Sequence, residues 1–252
     1  MSGRLDDRAV SETLGFILTF SVVVASVGVV YTVGFGAVTD LQDAEQDANA
    51  ERAIGALAES FGDVERGAAP AQAGEVRLGG SRLRLADGEE MTVSVGGGGA
   101  PYVHATTPGA LVFSDEDVAV AYVSGMVVRT DRTEDGDVLG RSLVERPSFA
   151  CRPEQATVSL VVLRAAGGAE NPDVRTDGSV LVTGSAESRS LLYPATGTSP
   201  NASTVTIDAG AYADAMAPSM AESGWTRSGD EFTCSTERVY VTRTLLRVSF
   251  VS

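Results

Sequence analysis

The run TLGFILTFSVVVASVGVVYTVGFGAVT, Thr13 to Thr39, holds no charged residue, although the whole chain carries a formal net charge of −15. As an α-helix rising about 1.5 Å per residue it would extend roughly 40 Å, which exceeds the ~30 Å hydrocarbon core of a bilayer. Large apolar side chains occur on every face rather than along one stripe, as in a helix surrounded by lipid. The run therefore predicts a transmembrane helix over residues 10–39.

Two other interpretations of this segment are weaker. A cleaved secretory signal has an apolar core of about 7–15 residues followed by a small-residue cleavage site, whereas this run is longer and continues through Tyr31 and Phe35 into a polar helical pattern. A buried helix of a soluble protein would show one apolar face. The membrane anchor is the interpretation that fits both its length and its uniform hydrophobicity.

The charges on either side of the anchor predict its orientation. Arg4 and Arg8 precede it, whereas the residues that follow it are acidic, with no cation until Arg52. Lys and Arg are enriched on the cytoplasmic side of membrane helices. We therefore expect residues 1–9 to form a cytoplasmic leader, and the part of the chain after Asp40 to lie outside the cell as a single-pass membrane protein.

A second helical pattern follows the anchor over residues 40–66. Its apolar positions recur at three- and four-residue spacing, so that one face can pack on a globular body; they are Ala50, Ile54, Leu57, Ala58, Phe61 and Val64. Gly34 and Gly36 can bend or break a helix, and Thr39 with Gln42 has the spacing of a capping box. The pattern thus predicts an amphipathic stalk, which either continues the anchor through a kink or forms a second helix in line with it.

From Glu75 the pattern changes to the period of two that is typical of β-strands, with Gly-rich turns between the segments. It predicts ten to twelve short strands over residues 75–252, packed as an antiparallel, sandwich-like domain. One helix, Ala211 to Glu222, interrupts the strands, and Pro218 disfavours its second half. The predicted fold class is α+β, a long amino-terminal helix followed by a β-rich domain.

Composition limits the classes of partner. All nineteen cationic residues are Arg, against thirty-four Asp and Glu. Such an acidic surface argues against nucleic acid, because phosphate binding needs basic patches. Abundant acids without Lys are typical of proteins from extreme halophiles, and a genome of high GC content is the alternative explanation.

The two cysteines and the one histidine limit the chemistry. Cys151 and Cys234 with His104 cannot supply four zinc ligands, so we expect no metal or other cofactor. Outside the cell the cysteine pair predicts a disulfide, worth about 4–5 kcal/mol in the chain-entropy model; two separate buried thiols are the alternative. The acidic loop from Asp131 to Asp137 only partly matches a calcium loop, since its twelfth position is Ser142.

The amino-terminal segment RAVSETLGFIL, Arg8 to Leu18, resembles the processing region of haloarchaeal type IV pilin-like proteins. The runs 28–34, 48–53 and 238–241 look like a haloarchaeal family of uncharacterised surface proteins with the same anchor. The resemblance implies that a leader peptidase recognises Arg8 and Ala9 and cuts the bond between Ala9 and Val10. Glu12 would be third in the mature chain, whereas bacterial pilins carry their glutamate at the fifth position. It is thus a candidate subunit contact that departs from the bacterial pattern, and solvation at the membrane interface is the alternative.

These observations predict a non-enzymatic cell-surface protein, either a pilin-like subunit or a displayed binding or structural domain. Its expected partners are the lipid bilayer and like subunits that meet through the anchor helix, where Ser21, Ala25 and Gly28 are spaced for close approach. The sequon at Asn201 is a candidate glycosylation site that is consistent with an external location. The alternative is a membrane-anchored extracellular hydrolase, for which His104 would be the sole imidazole.

Overall fold

The computed structural model of the chain describes residues 6–97, 101–133, 135–168, 171–193 and 203–251. Within the first helix, side chains are described from Leu14 to Tyr31 and from Glu45 onward. The chain divides into two compact units, Met1–Ala48 and Asn49–Ser252. The second unit therefore begins inside the predicted stalk rather than at residue 75.

One helix, α1, runs from Asp6 to Glu65. It passes Gly34, Gly36 and Thr39 without ending, so the prediction of two helices in line is wrong and a capping box at Thr39 has no helix start to cap. Isolated glycines weaken a helix by only about 1 kcal/mol each. This cost is small beside the stability of the long apolar segment before residue 39 and of the packed stripe after residue 49, so the helix continues through both glycines.

Sixteen strands and a second helix make up the described remainder of the chain. The strands are β1 (Ala71–Arg77), β2 (Arg82–Ala86), β3 (Met91–Gly96), β4 (Tyr102–Thr106), β5 (Ala110–Ser114), β6 (Val118–Val123), β7 (Met126–Arg132), β8 (Val138–Glu145), β9 (Phe149–Cys151), β10 (Ala156–Ala165), β11 (Asp173–Arg175), β12 (Ser179–Tyr193), β13 (Ser203–Asp208), β14 (Thr226–Ser228), β15 (Glu231–Thr236) and β16 (Val239–Val251). Helix α2 is Ala213–Glu222, preceded by a 3-10 turn at Gly210–Tyr212. The predicted α+β class, with a long helix before a β-rich domain, is confirmed.

The strands form three sheets. Sheet 1 has the order β1-β12-β16-β10-β9, sheet 2 the order β11-β2-β5-β6-β7-β8, and sheet 3 the order β14-β15-β13-β3-β4. All recorded pairings are antiparallel except that of β10 with β16, which is parallel. Such a pair requires a long crossover connection, and here sheet 1 strand β12 and most of sheet 3 lie between the two strands in sequence.

The central strands of sheet 2, β5 and β6, are buried on both faces. Leu111 and Val120 belong to a core that also holds the end of α1, whereas Val112 and Ala119 belong to a second core that holds α2 and sheet 3. Burial on both sides explains why β5 and β6 read as nearly continuous apolar runs rather than alternating ones. Sheet 1 contributes to both cores as well.

Several predicted elements differ from the observed ones. The period of two predicts separate strands at Val180 to Thr183 and Ser190 to Tyr193. Both belong to one strand, β12, because two β-bulges let it bend without ending. Strand β1 begins at Ala71, four residues earlier than predicted. Helix α2 is confirmed; Pro218 lies on its exposed side, four residues from its end, where a lost hydrogen bond disrupts little.

Candidate functional site

The anchor segment of α1 has no buried side chain between Leu14 and Tyr31, and it is long and apolar enough to cross a membrane. Two of its hydroxyl groups are bonded within the helix itself. Thr19 Oγ1 donates to the Gly15 carbonyl at 2.9 Å, and Ser26 Oγ to the Val23 carbonyl at 2.8 Å. Polar groups satisfied in this way are tolerated in hydrocarbon, where unbonded ones cost several kcal/mol.

The last four turns of α1 bury one stripe, as predicted from its spacing. Ile54, Leu57, Phe61 and Val64 are fully buried, with Ala50 close behind. They pack into the core formed with sheets 1 and 2. The Phe61 ring also meets the buried ring of Tyr122 edge-on, with 5.5 Å between centroids. This end of α1 is therefore part of the second unit's core.

Two glycines of sheet 1 form the seat on which this stripe lies. A Cβ at Gly74 in β1 would come within 2.6 Å of Leu57 Cδ2, and one at Gly184 in β12 would overlap the Phe61 ring. Both strands expose backbone at these positions, which lets the helix approach closely. Sequence reasoning assigned neither glycine to this role, although an isolated glycine inside a strand pattern is the signal that marks such an approach.

The carboxyl end of α1 is fixed by its own backbone and by an arginine of sheet 1. Gly67 has φ +79°, and the amide groups of Gly67 and Ala68 donate to the carbonyls of Val64 and Asp63 at 3.2 and 2.9 Å. This is a Schellman motif. Arg189 of β12 adds two more bonds, from Nε and Nη2, to the Val64 carbonyl at 3.0 and 2.5 Å.

An ion pair ties the same part of α1 to sheet 2. Arg129 Nη1 of β7 lies 2.6 Å from Glu51 Oε1, and its Nε lies 2.8 Å from Asp131 Oδ1. The side chains of Arg129 and Glu51 are only 26% and 29% exposed, so solvent screens this pair less than a surface pair. Asp131 is thereby part of a strand and an ion pair instead of a calcium loop.

The predicted disulfide is present in the structure. Cys151 of β9 and Cys234 of β15 are bonded, with 5.9 Å between their Cα atoms. Because β9 is the edge of sheet 1 and β15 belongs to sheet 3, the bond joins two sheets that are not hydrogen-bonded to each other through their strands. It closes a loop of 83 positions.

His104 lies in β4, a strand that sequence reasoning missed, at the edge of sheet 3. Its ring stacks on Tyr102 with 6.5 Å between centroids, and its buried Nε2 has no hydrogen-bond partner among the described residues. Burial, and secondly the charge of Arg243, lowers the pKa of His104. Within the described residues no three His, Cys, Asp or Glu side chains gather into a metal site.

The remaining predicted site residues cannot be given side-chain geometry. Arg8, Ala9, Val10 and Glu12 belong to the first turns of α1 by their backbone, and their side chains lie outside the described residues. Asn201 lies outside the described residues altogether. The processing site, the subunit contact and the glycosylation site therefore stay predictions.

The family comparison covers both the anchor and the β-rich body. A model of a family of unknown function, DUF7289, matches residues 8–249. No curated protein and no solved structure matches the chain. The matched range takes in nearly all of helix α1 and of the three sheets, without assigning them an activity.

Proposed function

Because the chain belongs to this family of unknown function, we propose its role from its own structure: it is a non-enzymatic, membrane-anchored protein that displays its β-rich body outside the cell. The observation that carries the proposal is that α1 combines an apolar segment that no protein buries with a stripe that packs into the core. One part of the helix is apolar on all sides and has no buried side chain from Leu14 to Tyr31. Near its other end, Ile54, Leu57, Phe61 and Val64 are buried core residues.

The continuity of α1 supports an anchor over a removed signal. Signal peptidase acts at small residues after a short apolar core. Here the backbone stays helical from Asp6 to Glu65, through and beyond the apolar segment. The disulfide between Cys151 and Cys234 supports an oxidising location outside the cytoplasm.

We further propose that the protein is a pilin-like subunit of the kind found in haloarchaea. The resemblance of the segment from Arg8 to Leu18 supports this, and so does the structure of α1, whose apolar part can contact like helices while its end is held in the body. Ser21, Ala25 and Gly28 would permit close contact between anchors. Cleavage before Val10 would leave Glu12 near the new amino terminus.

The non-enzymatic role rests on the surroundings of His104. Its ring is packed against Tyr102 and faces Arg243. Burial, and secondly the charge of Arg243, lowers the pKa of His104 and so favours the neutral imidazole. A hydrolytic site would need a nucleophile or carboxylate pair beside that base. The contacts recorded for His104 are with an aromatic ring and a cation.

Anchoring is tested by placing a charge at the middle of the apolar segment. Val23→Arg should weaken membrane retention, since Arg at the centre of a membrane helix costs about 2.5–3.5 kcal/mol; Val23→Leu is the matched control. Retention is measured as the share of full chain that stays in membranes after an alkaline wash. Equal retention of the two variants would contradict the anchor.

Orientation and processing are tested on the same cells. Protease added outside should digest the body and spare a short fragment containing Leu14 to Tyr31, whereas protection of the whole chain would overturn the external location. Amino-terminal sequencing of the membrane-bound protein should begin at Val10 if the chain is a pilin-like subunit. Recovery of Arg8 and Ala9 would leave a simple anchored protein.

A further inference from the structure

An arginine-lined cavity of about 530 Å³ lies on one face of sheet 1. Strands β10 and β16 run parallel there, with Val162 beside Leu245 and Arg164 beside Arg247. Paired residues in a sheet point to the same face, as do residues two apart on one strand. Arg243 therefore shares this face, which Thr106 of β4 borders. The cavity volume falls in the range typical of small-molecule sites.

The charges in this arginine cavity are only partly compensated. Arg247 donates from Nε and Nη2 to both carboxylate oxygens of Glu187, at 2.7 and 2.6 Å. Arg164 donates only to backbone carbonyls, the shortest bond being 2.8 Å to Leu163. Arg243 has no hydrogen-bond or ion-pair partner among the described residues. Among the described residues, two guanidinium charges thus face the cavity without a carboxylate partner, in a chain with a net charge of −15.

A β-bulge explains the position of Glu187, the one acid among the described residues that line the cavity. The register of β12 against β16 shifts between Ala186 and Ser188, which leaves Glu187 as the extra residue. A bulge redirects its side chain, and here Glu187 reaches Arg247. The carboxylate is thereby committed to one arginine, and it is not bonded to Arg164 or Arg243.

A second cavity, of about 460 Å³ between β8 and α2, provides a contrast. Its Arg146 is 2.8 Å from Glu222, and its Asp214 pairs with Arg227. Its remaining cation, Arg141, donates to the Ala211 carbonyl at 3.0 Å and lies over the Tyr212 ring. Here two acids balance two cations, so the excess of positive charge distinguishes the arginine cavity from this second one.

We propose that the arginine cavity binds a small organic anion that carries two carboxylate groups joined by an apolar chain. Arg247 lies four positions after Arg243 on β16, which places their Cα atoms about 13 Å apart at roughly 3.3 Å per residue. Arg164 lies beside Arg247 on the neighbouring strand. Buried Val162 and half-buried Leu245 form an apolar floor between them. Guanidinium groups bind carboxylates through paired, charge-assisted hydrogen bonds, so one carboxylate fits at each end and the chain lies on the floor.

The test is calorimetric titration of the full chain in detergent micelles with adipate at constant ionic strength. Arg243→Gln should weaken binding about tenfold or more, because a hydrogen bond to a charged group is worth about 1.5–3 kcal/mol. Glu187→Gln should tighten binding several-fold, since it releases the charge of Arg247. Arg77→Gln, an exposed arginine of β1 outside the cavity, is the matched control and should leave affinity unchanged.

The opposite signs of the two main variants separate binding from folding, because damage to the fold would weaken binding in both. Unfolding temperatures of all variants are recorded alongside. No heat of binding with adipate would overturn the proposal, and so would equal affinity in the wild type, Arg243→Gln and Arg77→Gln. Binding of inorganic sulfate as tight as that of adipate would replace the two-carboxylate ligand with a single oxyanion. The titration does not depend on membrane location, so the proposed anchor can fail while this site stands, and the reverse.

Discussion

The two ends of helix α1 differ in how their apolar side chains are arranged around the helix and in whether protein buries them. Between Leu14 and Tyr31 apolar side chains cover every face and none is buried by protein, whereas between Ala50 and Val64 they form one stripe that is almost completely buried. Phe20 is 60% exposed and Phe61 is 0% exposed, although both are phenylalanines in one helix. The difference shows that the distribution of apolar residues around the helix, rather than their number, identifies what covers them.

This comparison has a thermodynamic consequence. If lipid covers the first end and protein the second, membrane retention and unfolding of the second unit are separate equilibria. Each can then be perturbed without the other. Unfolding of the full chain in micelles reports on the second unit, and retention in membranes reports on the anchor.

Loss of the disulfide should have the largest effect on unfolding. Replacing both Cys151 and Cys234 by Ala removes a cross-link across 83 positions, worth about 4–5 kcal/mol in the chain-entropy model. We expect a large drop in the unfolding temperature and unchanged membrane retention. Reduction of the wild type should reproduce the drop. Unfolding that is insensitive to reduction would show that the junction of sheets 1 and 3 is stable without the bond.

Substitution of Phe61 and of Phe20 tests directly whether the two ends of α1 are covered differently. Phe61→Ala should destabilise the second unit by about 3–5 kcal/mol, because it leaves a cavity beside Tyr122 and Gly184. Phe20→Ala is the matched control and should leave unfolding unchanged, with a small loss of membrane retention. Denaturant unfolding followed by tyrosine and tryptophan fluorescence measures the first effect. Equal destabilisation by both substitutions would mean that protein covers the anchor too.

A glycine pair tests how closely α1 approaches sheet 1. Gly184→Ala should cost about 1–3 kcal/mol, since the added methyl group meets the Phe61 ring and forces it to move. Gly15→Ala adds the same methyl group where nothing lies within 4 Å, and unfolding should not change. If Gly184→Ala is neutral, we would conclude that the helix is free to shift on its seat.

Salt should affect unfolding of the second unit and not membrane retention, because the anchor is uncharged and the second unit is acidic. Raising NaCl from 0.1 to 1 M shortens the Debye length from about 10 Å to about 3 Å, and this weakens repulsion among the carboxylates. We expect the unfolding temperature to rise with salt and retention to stay constant. A flat or falling curve would contradict adaptation to high salt. A soluble fragment for this measurement has to begin near Asn49, since one that starts at Gly74 lacks the core residues Ile54 and Phe61.

Sequence patterns identified the elements whose periodicity is set by a single environment. The stripe on α1 and alternating strands such as β3 each follow one period, and each was predicted. The anchor and β5 were predicted instead from continuous apolar runs. Strand β8 was missed because its side chains are mostly exposed and its apolar residues occur in pairs. The seat at Gly74 and Gly184 and the arginine cavity depend on which strands become neighbours, and β10 pairs with β16 across about eighty residues of sequence. Local patterns carry no record of such pairing.

The smallest expected effect is a pH dependence confined to the second unit. Burial, followed by the charge of Arg243, lowers the pKa of His104 below its ordinary value of about 6.5. The unfolded chain therefore binds a proton first as pH falls, so this contribution to stability is complete above about pH 6.5 and declines below it. His104→Gln should flatten the decline between pH 7 and 5.5, measured as the difference in unfolding free energy from the wild type. The anchor has no Asp, Glu, Arg or His between Thr13 and Thr39, so its retention should not change across this range. If the wild type instead lost stability relative to His104→Gln as pH rises, the imidazole would be stabilised in its charged form, which would contradict its position facing Arg243.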